Sequence, residues 1–178
     1  MKPPLRALAP SADRMVDLTP VERLTVLALR GWVGAIKRGE GEPNDLPELF
    51  AQLGAADAAP ALAGLLRLTS ATAMRQVDVR CVGCPHLSPD EARVLMAVAG
   101  LQRRELEPAF EALSAWLPPR AITIGLDMAR DIALALDRAG QALPMRRWDF
   151  EDWEDEVGDA ASGRAPGRAP GRAAPTRH

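Results

Sequence analysis

Aromatic residues are scarce in this sequence, with three Phe, four Trp and no Tyr among 178 residues. Cysteine is scarcer still: there are two, which excludes a disulfide-rich scaffold. No apolar run approaches the roughly 18 residues needed to span a bilayer, so no membrane-spanning segment is expected. The opening residues, Met1-Lys2-Pro3-Pro4-Leu5, hold one charged side chain and no apolar stretch, unlike a secretory leader. A reducing cytoplasm is the compartment these features imply. Also missing are a Gly-rich phosphate loop, HExxH, GxSxG and a dinucleotide fingerprint. Carboxylate pairs at helical spacing, such as Glu107/Glu111 and Asp127/Asp131, read as solvated faces. The expectation leans away from an enzyme.

What is present suits one globular domain: 47% of the residues are hydrophobic and 26% charged, enough to bury a core. The net charge of −2 is unevenly spread. Residues 1–148 carry 18 Lys+Arg against 17 Asp+Glu, a net of +1, whereas residues 149–178 carry seven acids and four Arg, a net of −3. A nearly neutral body has no field to hold nucleic acid non-specifically, so nucleic acid is not an expected partner. Only Lys2 and Lys37 are lysines, a skew that fits a G+C-rich bacterial genome.

Two helix starts share one grammar. Leu18-Thr19-Pro20-Val21-Glu22 offers an N-cap Thr, a Pro at the first helical position and a Glu that closes a capping box. Leu87-Ser88-Pro89-Asp90-Glu91 repeats it. With an offset of 69, residues 18–31 overlie 87–100, and Leu46, Phe50 and Leu53 overlie Leu106, Phe110 and Leu113 with an offset of 60. The loop 39–45 accounts for the difference. A third apolar helix follows in each half, near 58–74 and 126–139. The expected fold is all-α, about six helices in two pseudo-repeated three-helix units spanning about 18–74 and 87–140. The plain alternative is that any two capped amphipathic helices look alike.

Single helices are legible too. Val21, Leu24, Ala28, Trp32, Ala35 and Ile36 form a stripe over 19–38, with Gly39 at the expected stop. Val94, Leu95, Val98 and Leu101 do so over 88–103, and Phe110, Leu113 and Trp116 read as core. Two short stretches alternate with period two, Gln76–Arg80 and, weakly, Ala121–Ile124. Both are candidate strands that could pair as a small ribbon, and residues 76–87 form an extended segment and loop between the units. Residues 1–17 are Pro-rich and read as a loose arm. Residues 158–178, with Gly163-Arg164-Ala165-Pro166 repeated almost three times, read as a disordered tail whose first role is solubility.

Recognisable chemistry sits in Arg80-Cys81-Val82-Gly83-Cys84-Pro85-His86. Cys81, Cys84 and His86 are three candidate ligands for zinc, which wants a fourth from a carboxylate (Asp78 or Asp90), water or a second chain. An iron–sulfur cluster would need two chains, so a shared site implies a homodimer. The same thiols could instead form a redox switch, with Arg80 favouring a thiolate at Cys81. Against both stands the reading of cysteine as a small buried apolar residue.

The second candidate site is Trp148-Asp149-Phe150-Glu151-Asp152-Trp153, continuing to Glu156. Three of seven aromatics lie here among acids. Such a segment either plugs a groove between helices or docks on a basic, apolar-grooved protein partner, its acids steering the encounter. The capped segments also loosely resemble the first helix of helix-turn-helix regulators, over 14 residues per copy. That resemblance implies DNA binding, but no basic recognition helix follows Gly100. The expectation that emerges is a non-enzymatic cytoplasmic adaptor or accessory protein that presents a helical groove and the acidic–aromatic segment. The alternative is a metal or thiol protein centred on the Cys81–His86 loop, followed by a DNA-binding regulator.

Overall fold

The N-terminal turns of the helices carry much of the architecture. In the computed structural model, which describes residues 8–148 and residue 150, Thr19 and Ser88 each cap a helix through a complete capping box. The Glu22 N–H donates to Thr19 Oγ1 at 3.4 Å and the Thr19 N–H to Glu22 Oε2 at 2.8 Å. At the second start, the Glu91 N–H donates to Ser88 Oγ at 3.1 Å and the Ser88 N–H to Glu91 Oε2 at 2.9 Å. Each box satisfies two amides that helix geometry leaves without partners.

The fold is all-α. Its helices are α1 (Pro20–Lys37), α2 (Leu46–Ala51), α3 (Ala58–Thr72), α4 (Pro89–Gln102), α5 (Leu106–Ser114) and α6 (Pro119–Arg138), preceded by a 3₁₀ turn at Met15–Asp17. Helix α4 packs on α5 and α6, α3 lies along α6, and α1 touches α2, α3 and α4. Small residues allow close approach: a Cβ added at Gly125 of α6 would stand 2.6 Å from Leu117 Cδ1. Phe50, Leu62, Leu113, Trp116, Ile132 and Leu136 fill the core. No helix among the described residues is long and apolar enough to cross a membrane.

Several expectations change. Residues 121–124 are no strand but the first turns of α6, which Pro119 opens at a position where a missing N–H costs nothing. Among the described residues no strand forms. Residues 76–80 are extended, yet their amides pair with carboxylates of α4: the Asp78 N–H donates to Asp90 Oδ2 at 2.8 Å and the Arg80 N–H to Glu91 Oε1 at 3.0 Å. The alternate side chains Val77 and Val79 line a cavity with Trp32 and Leu66. Alternation here marks an extended segment laid over a helix start.

From residue 8 onward the expected loose arm is fastened. The Ala9 N–H donates to the Met145 carbonyl, the Arg147 N–H to the Ala9 carbonyl, the Met15 N–H to the Pro85 carbonyl, and the Leu87 N–H to the Asp13 carbonyl, all at 2.8–3.0 Å. Ala12 and Leu18 are buried beneath. The aligned second helices also differ. Phe50 is fully buried and Leu46 nearly so, whereas Phe110 is 50% and Leu106 52% exposed. Phe110 is therefore not core, although Leu113 and Trp116 are.

Candidate functional site

Arg30 of α1 is the residue on which the cysteine loop is mounted. It lies four residues after Val26 on the buried face, where a guanidinium must find acceptors for its donors. Its Nε donates to Glu91 Oε1 at 2.7 Å and its Nη2 to Glu91 Oε2 at 2.8 Å, with both side chains fully enclosed. Its remaining donors reach the loop: Nη1 to the Cys84 carbonyl at 2.6 Å and Nη2 to the His86 carbonyl at 2.7 Å. Glu91 meanwhile accepts from the Ser88 and Arg80 N–H groups. One buried ion pair thus holds the chain on both sides of Cys81–Cys84. Burial alone would lower the Arg30 pKa, but the Glu91 hydrogen bonds and charge outweigh it and raise it, helped by the Cys84 and Cys81 thiols.

Within the loop, the Cys84 N–H donates to the Cys81 carbonyl at 3.0 Å, closing a β-turn over Val82 and Gly83. Cys81 is exposed, Cys84 half-buried, and both thiols are free. His86 is exposed and its backbone bridges to Arg14. Among the described residues no three His, Cys, Asp or Glu side chains are placed to hold a metal ion. The three-donor set expected of Cys81, Cys84 and His86, with Asp78 or Asp90 as a fourth, is not assembled. Asp90 is committed elsewhere, taking Arg75 in a fork at 2.6 and 2.8 Å, Arg93 at 3.1 Å and the Asp78 N–H.

Burial pushes the Asp90 carboxyl up, but Arg75, the Asp78 N–H and Arg93 more than offset this and hold it below the ordinary carboxylate range. A carboxyl whose folded pKa is depressed adds stability that is fully present above its unfolded value of about 3.9. That contribution fades as pH falls through the folded pKa. Asp90→Asn should therefore cost about 1–3 kcal/mol near neutrality, and the gap from wild type should shrink below about pH 4. Urea unfolding of both proteins across a pH series measures the gap.

A second clamp has the same form. Arg146 Nε donates to Glu22 Oε1 at 2.6 Å and Nη2 to Glu22 Oε2 at 2.8 Å, with further bonds to the Pro10 and Asp17 carbonyls. Hydrogen bonding to Glu22 raises the Arg146 pKa against the opposing effect of burial. Glu22 and Glu91 are aligned residues of the two capped segments, and each closes a capping box while taking a forked arginine from far along the chain. No family model, curated protein or solved structure matches this chain.

The other accessible feature is the outer face of α5. Leu106, Pro108 and Phe110 line an open apolar depression of about 780 Å³ together with Glu105 and Glu107. Glu111 is exposed on the following turn. This helix, which follows the α4 start that resembles a helix-turn-helix first helix, shows solvent glutamates and apolar side chains in place of basic ones. In the acidic–aromatic segment, Trp148 and Phe150 are each partly buried. Asp149, Glu151, Asp152 and Trp153 lie outside the described residues, as does the 158–178 repeat.

The sequence reading missed Arg30, Arg146 and the α5 face. Arg30 was findable, since it lies one helical turn after Val26 and so shares a face with an apolar position. Its acceptors were not, because they are loop carbonyls about 55 positions away.

Proposed function

We propose that this protein is a non-enzymatic cytoplasmic adaptor that works by protein–protein contact, with α5 as its docking face. The observation that carries the reading is the exposure of Phe110 and Leu106 side by side, with half-buried Pro108, on a helix whose Ala109, Ala112 and Leu113 are buried. Large exposed apolar side chains clustered in a polar rim mark interaction sites more often than isolated ones do. The rim here is acidic, through Glu105, Glu107 and Glu111. Charge complementarity then calls for a partner segment with apolar anchors flanked by Lys or Arg. The acids of residues 149–156 call for the same sign in the partner, which supports their use as a second, steering arm.

A photo-crosslinking amino acid at position 110, with position 134 as the exposed control, tests the reading in cells. The expected adduct appears at 110 alone and maps to a basic, apolar segment of one protein. Leu106→Asp with Phe110→Asp should then weaken binding of that purified partner at least tenfold, while stability stays within about 0.5 kcal/mol of wild type. Equal labelling at both positions, or unchanged affinity in the double variant, would remove α5 as the docking face.

A further inference from the structure

We propose that Cys81 and Cys84 form a reversible dithiol–disulfide pair, in which Cys81 is the attacking thiol and Cys84 the resolving one, with a small-molecule disulfide as oxidant. This assigns a chemistry to the loop independent of docking at α5.

The hydrogen bond from the Cys84 N–H to the Cys81 carbonyl makes the two cysteines the first and fourth residues of a β-turn. Such a turn holds its end Cα atoms within about 7 Å. A disulfide needs Cα atoms about 4.4–6.8 Å apart, so the turn already meets the main requirement of the bond. Gly83 sits inside the turn with open space around its Cα, so nothing crowds the tip.

The Arg80 N–H is held by Glu91, and the Cys84 and His86 carbonyls are held by Arg30. Both flanks of the turn are thus tied to one fully buried pair, while the tip (Cys81, Val82 and Gly83) is exposed. A fixed base with an accessible tip lets two sulfurs meet without loss of the surrounding fold.

Donor number decides between redox and metal chemistry. A structural zinc site asks for four ligands, and the described residues bring no three candidate donors together. A disulfide asks for two, and the turn supplies both. Unequal access assigns the roles, because Cys81 is open to a bulky oxidant and Cys84 is half-covered.

The reaction balances as thiol–disulfide exchange. Cys81 Sγ, as thiolate, attacks one sulfur of R–S–S–R; that S–S bond breaks, and RS⁻ leaves and takes up a proton. Cys84 Sγ, having lost its proton, attacks Cys81 Sγ, forms the internal bond and expels the second RS⁻, which is protonated in turn. Two protein thiols lose two electrons and two protons, and the disulfide is reduced to two RSH.

The test uses the full chain, purified reduced and then treated with oxidised glutathione near pH 8, with intact mass as the readout. The expected product is a single chain about 2 Da lighter than the reduced form, returned by dithiothreitol. Cys84→Ser should accumulate a stable glutathione adduct at Cys81, because nothing resolves it. Cys81→Ser should be modified at least about tenfold more slowly. A persistent adduct on the wild type, or disulfide-linked dimers, would overturn the internal pair. Equal rates in the two variants would overturn the assignment of roles. Zinc at one ion per two reduced chains, with both thiols unreactive, would replace the proposal by a metal-bridged homodimer. The wild-type measurement stands alone should either variant fail to fold.

Discussion

Glu91→Ala is expected to lower the unfolding free energy by about 3–5 kcal/mol, the cost of stranding one member of a buried ion pair. Arg30 would keep its two carbonyl acceptors but lose its counter-charge in a site closed to water. The Arg80 N–H would lose its acceptor, and α4 its capping box, at the same moment. Exchange of the Arg80 and Ser88 amides should rise with the global loss, because both donate to the missing carboxylate. Urea denaturation measures the first effect and amide exchange the second. A loss under about 1 kcal/mol would mean that Arg30 finds solvent or another anion, and that the clamp does not anchor the loop. Removing both charges by Arg30→Met with Glu91→Leu should not restore wild-type stability, unlike buried pairs that serve only each other. Here the Cys84 and His86 carbonyls would be left without their donors.

Glu22→Ala is expected to cost about 2–3 kcal/mol, less than Glu91→Ala although the contacts look alike. The difference lies in what remains. Arg146 keeps the Pro10 and Asp17 carbonyls, and its side chain retains 8% exposure where that of Arg30 has none. Arg146→Ala should cost a similar amount, and the double variant should fall well short of the sum of the two, since each single change already breaks the same pair. Strict additivity in that cycle, measured by urea unfolding, would show that the two side chains contribute separately.

The helix starts were the most legible part of the fold, because caps are local. Thr19 with Glu22, and Ser88 with Glu91, announce themselves within four residues and behave as written. The same two glutamates have a second task that no local pattern reveals, since their arginines lie 61 and 124 positions away. The reading of Ala121–Ile124 as a strand failed because four residues with two Ile and a Thr alternate by chance. The Pro118-Pro119 pair before them was the better signal. Gln76–Arg80 was read more usefully. Its alternation is real, but the amides that a strand would offer to a neighbour are taken by the carboxylates of Asp90 and Glu91. In α5 the spacing of Leu106, Phe110 and Leu113 is helical, yet the core contacts run through Ala109, Ala112 and Leu113. Periodicity finds an apolar stripe without saying which edge of it stays wet. In the candidate loop, the cysteine spacing was legible; that no third donor among the described residues converges on it was a fact of three dimensions.

The Arg146–Glu22 clamp also bears on the order in which the chain can fold. Its partners are separated by 124 positions, and the bridge between Ala9 and Arg146 spans even more. The Glu22 carboxylate can close its capping box with Thr19 as soon as α1 is made, but it lacks Arg146 until nearly the whole domain has been synthesised. Closing so large a loop carries an entropic cost that the earlier, more local packing of α3 to α6 must first offset. The N-terminal segment is thus placed to be laid down last, sealing a body already formed. Chains cut before residue 146 would present an open first helix to the cell's quality control.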